Sequence, residues 1–404
     1  MIGRMKIERH RPASAIDPFA ADYLTDPYPF HRELRALGPL VWLDQYGVWC
    51  VTRHKETLAV LANPKLYCSG AGVGITNAFK DVPWRTPSLL LEADAPAHKP
   101  RRRLVHSILS GESAATLRAQ FEITARAVVD RVLDLSAPDG VRDVAQAYIL
   151  KAFPDAVGLA ETGRENLLPY GAMVFNGFGP RNAIFEASLA DVTPRLPWIM
   201  AACKRENLKP GGLGERVYQG ADAGDVTHDE ALLLLRSFLS AGLDTTVDAI
   251  GGALHAFAAF PDQWAKLRAN PSAALIRNAF EEVLRYHAPL QTFFRTTTQA
   301  VTLAGVPIVA SEKLMLSMGC ANRDPDRWAR PDEFDIERRV AGHLGFGAGV
   351  HGCVGQIVAR LEVEVLLTEM VKRVAAIELA GPAIVKLNNA IRGFASLPVR
   401  LTSG

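Results

Sequence analysis

The stretch FGAGVHGCVGQIVAR, residues 346–360, sets a single cysteine, Cys353, between a glycine-rich loop and an apolar helical run. Glycines at 345, 347, 349, 352 and 355 let the backbone turn tightly and let a flat object approach it closely. A cysteine at a helix N-terminus meets the positive end of the helix dipole and free N–H groups, and both stabilise a thiolate. Such a thiolate suits a nucleophile, a zinc ligand or a haem ligand, whereas a buried, inert thiol is the commoner fate of a free cysteine. His351, two residues away, keeps the nucleophile open. Zinc needs further cysteines or histidines at ligand spacing, which are missing.

The rest of the chain narrows the class. With 404 residues and 49% hydrophobic composition it is long enough for a substantial core. A net charge of +2, from 45 basic and 43 acidic residues, gives no sign of nucleic acid or a polybasic membrane anchor. Five cysteines at 50, 68, 203, 320 and 353, with no CxxC, argue against a disulfide framework and for a reducing cytoplasm. The N-terminus carries charges every few residues and lacks the apolar run of a signal peptide or membrane helix. LLLLRSFLSAGL, 232–243, is too short to span a bilayer and is interrupted by Arg236.

Local patterns predict a mainly α protein with a small β portion, as a single domain over 1–404. PYPFHRELRALG (27–38) starts at proline and stops at glycine, as a short helix should. VWLDQYGVWCVTR (41–53) reads as two strands around a turn, followed by a helix from His54 to before Asn63-Pro64. Residues 68–96 form a long aperiodic loop, the kind that often carries function. Helical patterns dominate from Ala97 to about Ala202. A long helix runs from Thr227, with a capping box to Glu230, to Phe260, where Pro261 stops it. Another spans about 274–286, short strands lie between 292 and 318, and a last helix runs from near Cys353 to about Ala375.

The order FGxGxHxCxGxxxAR closely resembles the cysteine-ligand loop of the cytochrome P450 haem-thiolate monooxygenases. Three further motifs occur in that family's order. These are AGLDTT at 241–246, the ExxR of Glu282 to Arg285, and FDIER at 334–338, where Ile336 stands in place of the proline of many relatives. The resemblance implies the P450 fold, haem b (iron protoporphyrin IX), and Cys353 as axial thiolate, a ligand that favours O–O cleavage. It implies that His98, Arg102, Arg295 and His351 hold the haem propionates, which need charge-assisted partners near apolar surface. Glu282, Arg285 and Arg338 become a buried support of the cysteine loop. Asp244 and Thr245 become the acid and alcohol that deliver protons during O2 activation, general-acid work at a buried site. The alternative for the two hydroxyls of Thr245 and Thr246 is back-bonding to the preceding turn, which often bends a helix.

PWRTPSLLLEAD (83–94), VFNGFGPRN (174–182) and QTFFRTTT (291–298) further resemble bacterial monooxygenases of para-substituted benzoates, which O-demethylate 4-methoxybenzoate. By that resemblance Arg85, Ser88 and Ser237 bind the carboxylate with Arg236 close by, and Phe175, Phe178 and Phe293 pack on the ring. Leu290 joins this pocket, and Leu290 and Gly177 bear on its width and the preferred para group. Eight residues of helix from Ser237 to Thr245 would rise about 12 Å, a gap that a rigid ring bridges in large part. The expected function is therefore O2- and two-electron-dependent oxidation of a small aromatic carboxylate, with hydroxylation of another small organic acid or a haem-binding sensor as alternatives. Electrons are expected from a small ferredoxin and its reductase, docking on basic surface from Arg101, Arg102, Arg103, Arg339 and Arg360. Neither nucleic acid nor membrane is expected as a partner.

Overall fold

A computed structural model describes residues 12–110 and 113–404; the start of the charged N-terminal stretch expected to lack a signal peptide, residues 1–11, lies outside them. Trp42 pairs with Trp49 in the expected hairpin of Leu40–Leu43 and Val48–Val51. This hairpin belongs to a six-stranded sheet, in the order Ala13–Ser14, Leu40–Leu43, Val48–Val51, Lys313–Ser317, Thr292–Thr297, Tyr67–Cys68. Alternation along Thr292–Thr297 has a direct consequence for the site. Phe293 and Arg295 reach a large internal cavity, while Phe294 turns into a separate core with Val41, Cys50 and Met315.

Helices supply most of the remaining structure and the main core. The helix Gln356–Arg373 lies along Ser113–Leu133 and Ala273–Tyr286, and Asp244–Ala259 runs through the interior, buried on most of its faces. Tyr28–Leu37, His54–Ala62 and Ala273–Tyr286 fall where the sequence places them. Residues 69–97 contain no helix or strand, as expected. Among the described residues, no helix is long and apolar enough to cross a membrane.

Three expectations change. The helix foreseen from Thr227 to Phe260 is two helices, His228–Ala241 and Asp244–Ala259. Its capping box forms, with Thr227 Oγ1 accepting from Glu230 N at 3.1 Å and Glu230 Oε2 from Thr227 N at 3.0 Å. At the break, between Ala241 and Asp244, the Thr245 hydroxyl donates to Ala241 O at 3.0 Å. The 12 Å rise of one straight helix therefore does not describe the path from Ser237 to Thr245. Pro261 both ends that run and opens the next helix, Pro261–Ala269, where its missing N–H costs nothing.

The last helix starts at Gln356 rather than near Cys353. Cys353 N–H is held by Phe346 O at 2.8 Å, so the cysteine stands in a turn just before the helix. After that helix the chain adds strands that the sequence reading did not anticipate. Val374–Leu379 pairs with Val399–Ser403, and Ile384–Lys386 with Gly393–Ser396.

Candidate active site

Cys353 borders a cavity that encloses about 270 Å³ of space open to the centres of water molecules, far beyond a packing defect. The loop before it turns through Gly347 and Gly349, at φ of 67° and 70°, where a side chain would be strained. A Cβ on Gly349 would also meet Leu61 O at 2.4 Å. Burial pushes the Cys353 thiol up, while the N–H of Gly355, Arg102 and the N–H of Gln356 oppose it. In the protein alone burial wins over the helix terminus. His351 turns towards His98, with ring centroids 4.3 Å apart, and towards Asp94 at 3.8 Å. It thus makes a poor base for a Cys353 nucleophile. Among the described residues no group of three or more His, Cys, Asp or Glu is placed to hold a metal ion, so the zinc alternative has no ligand set.

Four basic side chains gather on this side, more than the neighbouring Asp94 can match. Arg102, Arg295 and His351 line the cavity, and His98 lies beside them, one helical turn before Arg102. Pro100 sits in the first turn of that helix, where it is tolerated. The Nε2 atoms of His98 and His351 are buried without hydrogen-bond partners. Arg295 is 2% exposed, donates to Phe294 O at 2.8 Å, and is pulled down to about 10 by burial. Burial and then His351 and Arg102 lower His98 to about 4. Asp94, beside them, already accepts from Ser69 N and Gly70 N. Buried donors lacking acceptors fit a group that brings its own negative charges. A flat cofactor with a cysteine ligand and two carboxylates meets that description.

The ExxR residues form a closed network. Arg285 Nε donates to Glu282 Oε2 at 2.7 Å with both side chains fully buried, and Arg338 Nε donates to Glu282 Oε1 at 3.1 Å. Ile336 therefore does not displace Arg338. Arg285 also donates to Asn322 O, and Asn322 Oδ1 accepts from Leu344 N at 2.7 Å, which ties the network to the cysteine loop.

The other wall is apolar, with a polar end. Phe178 meets Phe175 and Phe293 edge-on, with centroids 5.6 and 5.5 Å apart. Leu290 joins them. Trp84 fills the space above Gly177, where a Cβ would strike Trp84 Nε1 at 2.2 Å, so Gly177 fixes where this wall lies. Ser88 Oγ and Ser237 Oγ are 3.1 Å apart. Arg85 is paired with Glu92 at 3.0 Å. Arg236 donates only to Thr86 O, at 2.8 Å, forms no ion pair among the described residues, and is 8% exposed. Glu92 had no sequence signal, because it faces Arg85 across an aperiodic loop. It transfers the uncompensated positive charge from Arg85 to Arg236.

All the predicted site residues line the cavity except His98 and Asp244. Thr245 does so with its hydroxyl bonded to Ala241 O. Asp244, 2% exposed, turns instead to Lys386, whose Nζ is 3.3 Å from its Oδ1 and 2.9 Å from Asp248 Oδ1. The Oδ2 atoms of both aspartates have no partner. Burial pushes Asp244 up to about 7, with Lys386 opposing and Asp248 reinforcing. Burial works against the charge of Lys386, but the two carboxylates outweigh it and keep it cationic. Sequence reasoning missed Lys386 and Asp248. Thr246, which lines the cavity, and Glu362, which lines it with Oε1 unpartnered, were missed as well.

The family description Cytochrome P450 matches residues 214–379. Cytochrome p450 CYP199A2 of Rhodopseudomonas palustris is 50% identical over 97% of this chain and 95% of that protein. Putative cytochrome P450 126 of Mycobacterium tuberculosis is 32% identical over 97% and 98%. Among solved structures, epothilone D-bound cytochrome P450epoK superposes with a TM-score of 0.84 at 25% identity, covering 96% of this chain and 99% of that one. P450BioI in complex with hexadec-9Z-enoic acid ligated acyl carrier protein gives 0.82 at 25%, covering 95% and 100%.

Proposed function

The chain belongs to the cytochrome P450 family and is a haem-thiolate monooxygenase, and from that premise we propose that it O-demethylates 4-methoxybenzoate or a close para-substituted analogue. The observation that carries the substrate class is Arg236, a buried cation without an ion-pair partner among the described residues, at the end of the cavity away from the propionate-side cations and lined there by Phe175, Phe178 and Phe293. A buried charge calls for an opposite charge, and Ser88 and Ser237 add hydroxyls at the same end. Phe175, Phe178 and Phe293 offer edges and faces to an aromatic ring, so acid and ring are read together.

In this reading Cys353 ligates haem b, and Arg102, Arg295, His98 and His351 take its propionates. Bound there, haem b supplies the activation of O2 that inserts one oxygen atom into a C–H bond of the methoxy group. The hydroxylated methyl is a hemiacetal, which collapses to the phenol and formaldehyde; O2, two electrons and two protons are consumed and water is released. Rigid anchoring of the acid presents only the para end of the ring for reaction. Asp244, with a pKa of about 7, is a proton source suited to neutral pH, and the Thr245 hydroxyl hands protons into the cavity.

Electrons come from a small iron–sulfur ferredoxin and its reductase, in the cytoplasm. The basic residues available for docking are fewer than the sequence suggests. Arg101 pairs with Glu230 and Arg360 with Glu281, and Arg102 lines the cavity, which leaves Arg103 and Arg339 exposed. Turnover of 4-methoxybenzoate with a surrogate ferredoxin system tests the proposal. Equimolar 4-hydroxybenzoate and formaldehyde support it, and ring hydroxylation or no product refutes it.

A further inference from the structure

Glu281, adjacent to the ExxR glutamate, accepts from Arg360 Nη2 at 3.1 Å and lies 2.6 Å from His343 Nε2. The other ring nitrogen, Nδ1, lies 3.0 Å from Gly345 N. A carboxylate can only accept, so Nε2 carries the proton; a backbone N–H can only donate, so Nδ1 must be bare. Both contacts are satisfied by one neutral tautomer and by no other protonation state of the ring. Burial works against the Glu281 charge, but the hydrogen bonds from His343 and Arg360 and the Arg360 charge oppose it, so the group remains an acceptor.

The bonded amide belongs to the cysteine loop. Gly345 precedes Phe346, whose carbonyl accepts Cys353 N–H and whose ring lies under the Arg360 guanidinium at 4.5 Å. The side chain of His343 is only 5% exposed, so water cannot readily replace it as the acceptor. We propose that His343 is a positioning residue for Cys353: locked in its Nε2–H tautomer by Glu281, it holds Gly345 N–H and so fixes the loop that presents the sulfur. This rests on Cys353 being the haem ligand.

The two contacts can be separated by substitution in the haem-loaded protein. His343→Asn keeps an acceptor near Gly345 N but cannot reach Glu281. His343→Gln reaches Glu281 and leaves Gly345 N without its acceptor. The Asn variant is expected to keep the thiolate-type absorption of the reduced carbon monoxide form and the iron reduction potential. The Gln variant is expected to move a larger fraction of that absorption out of the thiolate band and to shift the potential. A Gln variant indistinguishable from the unaltered protein, or an Asn variant as impaired as Gln, overturns the proposal. The unaltered protein gives a second test through histidine ¹⁵N spectra of its diamagnetic ferrous carbon monoxide form. A protonated Nε2 with bare Nδ1 at neutral pH is expected for His343, and a protonated Nδ1 overturns it. That tautomer does not depend on which residue binds iron, so its failure is distinct from failure of the Cys353 assignment.

Discussion

Lys386 Nζ lies 3.3 Å from Asp244 Oδ1, and neither residue lines the cavity. The acid expected to supply protons thus rests on a lysine from a C-terminal strand, which Asp248 shares at 2.9 Å. Burial raises Asp244 to about 7, and the one lysine, shared with Asp248, opposes that rise without cancelling it.

Lys386→Met removes the charge that opposes burial, so the Asp244 pKa rises further above about 7. A proton donor acts in its protonated form, below its pKa. The alkaline limb of the rate–pH profile is therefore expected near neutrality in the unaltered enzyme, at higher pH in Lys386→Met, and absent in Asp244→Asn. Stability carries the opposite sign from a salt-bridged aspartate. The folded pKa exceeds the unfolded one, so the contribution of Asp244 is largest below the unfolded value of 3.8 and declines as pH rises towards 7. A limb that does not move with Lys386 removes Asp244 as the donor.

Because Glu92 neutralises Arg85, Arg236→Met should weaken carboxylate binding more than Arg85→Met. Loss of a charge-assisted hydrogen bond costs about 1.5–3 kcal/mol, roughly 10- to 100-fold in affinity. Titration of the haem spin state with 4-methoxybenzoate measures both variants. The reverse order would put the anion at Arg85.

Glu282→Ala leaves Arg285 buried without its carboxylate and removes a partner of Arg338. Breaking such a pair costs about 3–5 kcal/mol. The variant should unfold at much lower denaturant concentration and lose haem. A midpoint within error of the unaltered protein would show the network to be dispensable.

Cys353→Ser should abolish the thiolate-type band of the reduced carbon monoxide form while the apo fold persists by circular dichroism. An unchanged band would assign the iron to another residue.

How much of this could be read beforehand depended on whether the information was local. The cysteine loop, the capping box at Thr227 and the hairpin at 40–51 are contiguous, so spacing and residue type specify them. The break at Gly242–Leu243 interrupts an apolar run whose period continues across it, so the pattern does not reveal it. Lys386 meets Asp244 across 142 positions of chain, and Glu92 reaches Arg85 through a loop without regular structure. Neither contact has a sequence signature, though each alters the electrostatics of its end of the site. The last helix, expected to start near Cys353, starts at Gln356; glycines at 352 and 355 do not show which residue takes the first helical turn.

The central claim is that the cavity selects a carboxylate, and comparison of 4-methoxybenzoate with neutral 4-methoxybenzamide tests it most directly. Both have the same ring and para group, so Phe175, Phe178 and Phe293 should serve them alike, and only the acid gains the charge-assisted bonds of Arg236, Ser88 and Ser237. Spin-state titrations of the unaltered enzyme should give an acid affinity roughly 10- to 100-fold above that of the amide. Equal affinities would contradict the carboxylate site, and with it the benzoate assignment, while leaving the haem-thiolate fold intact.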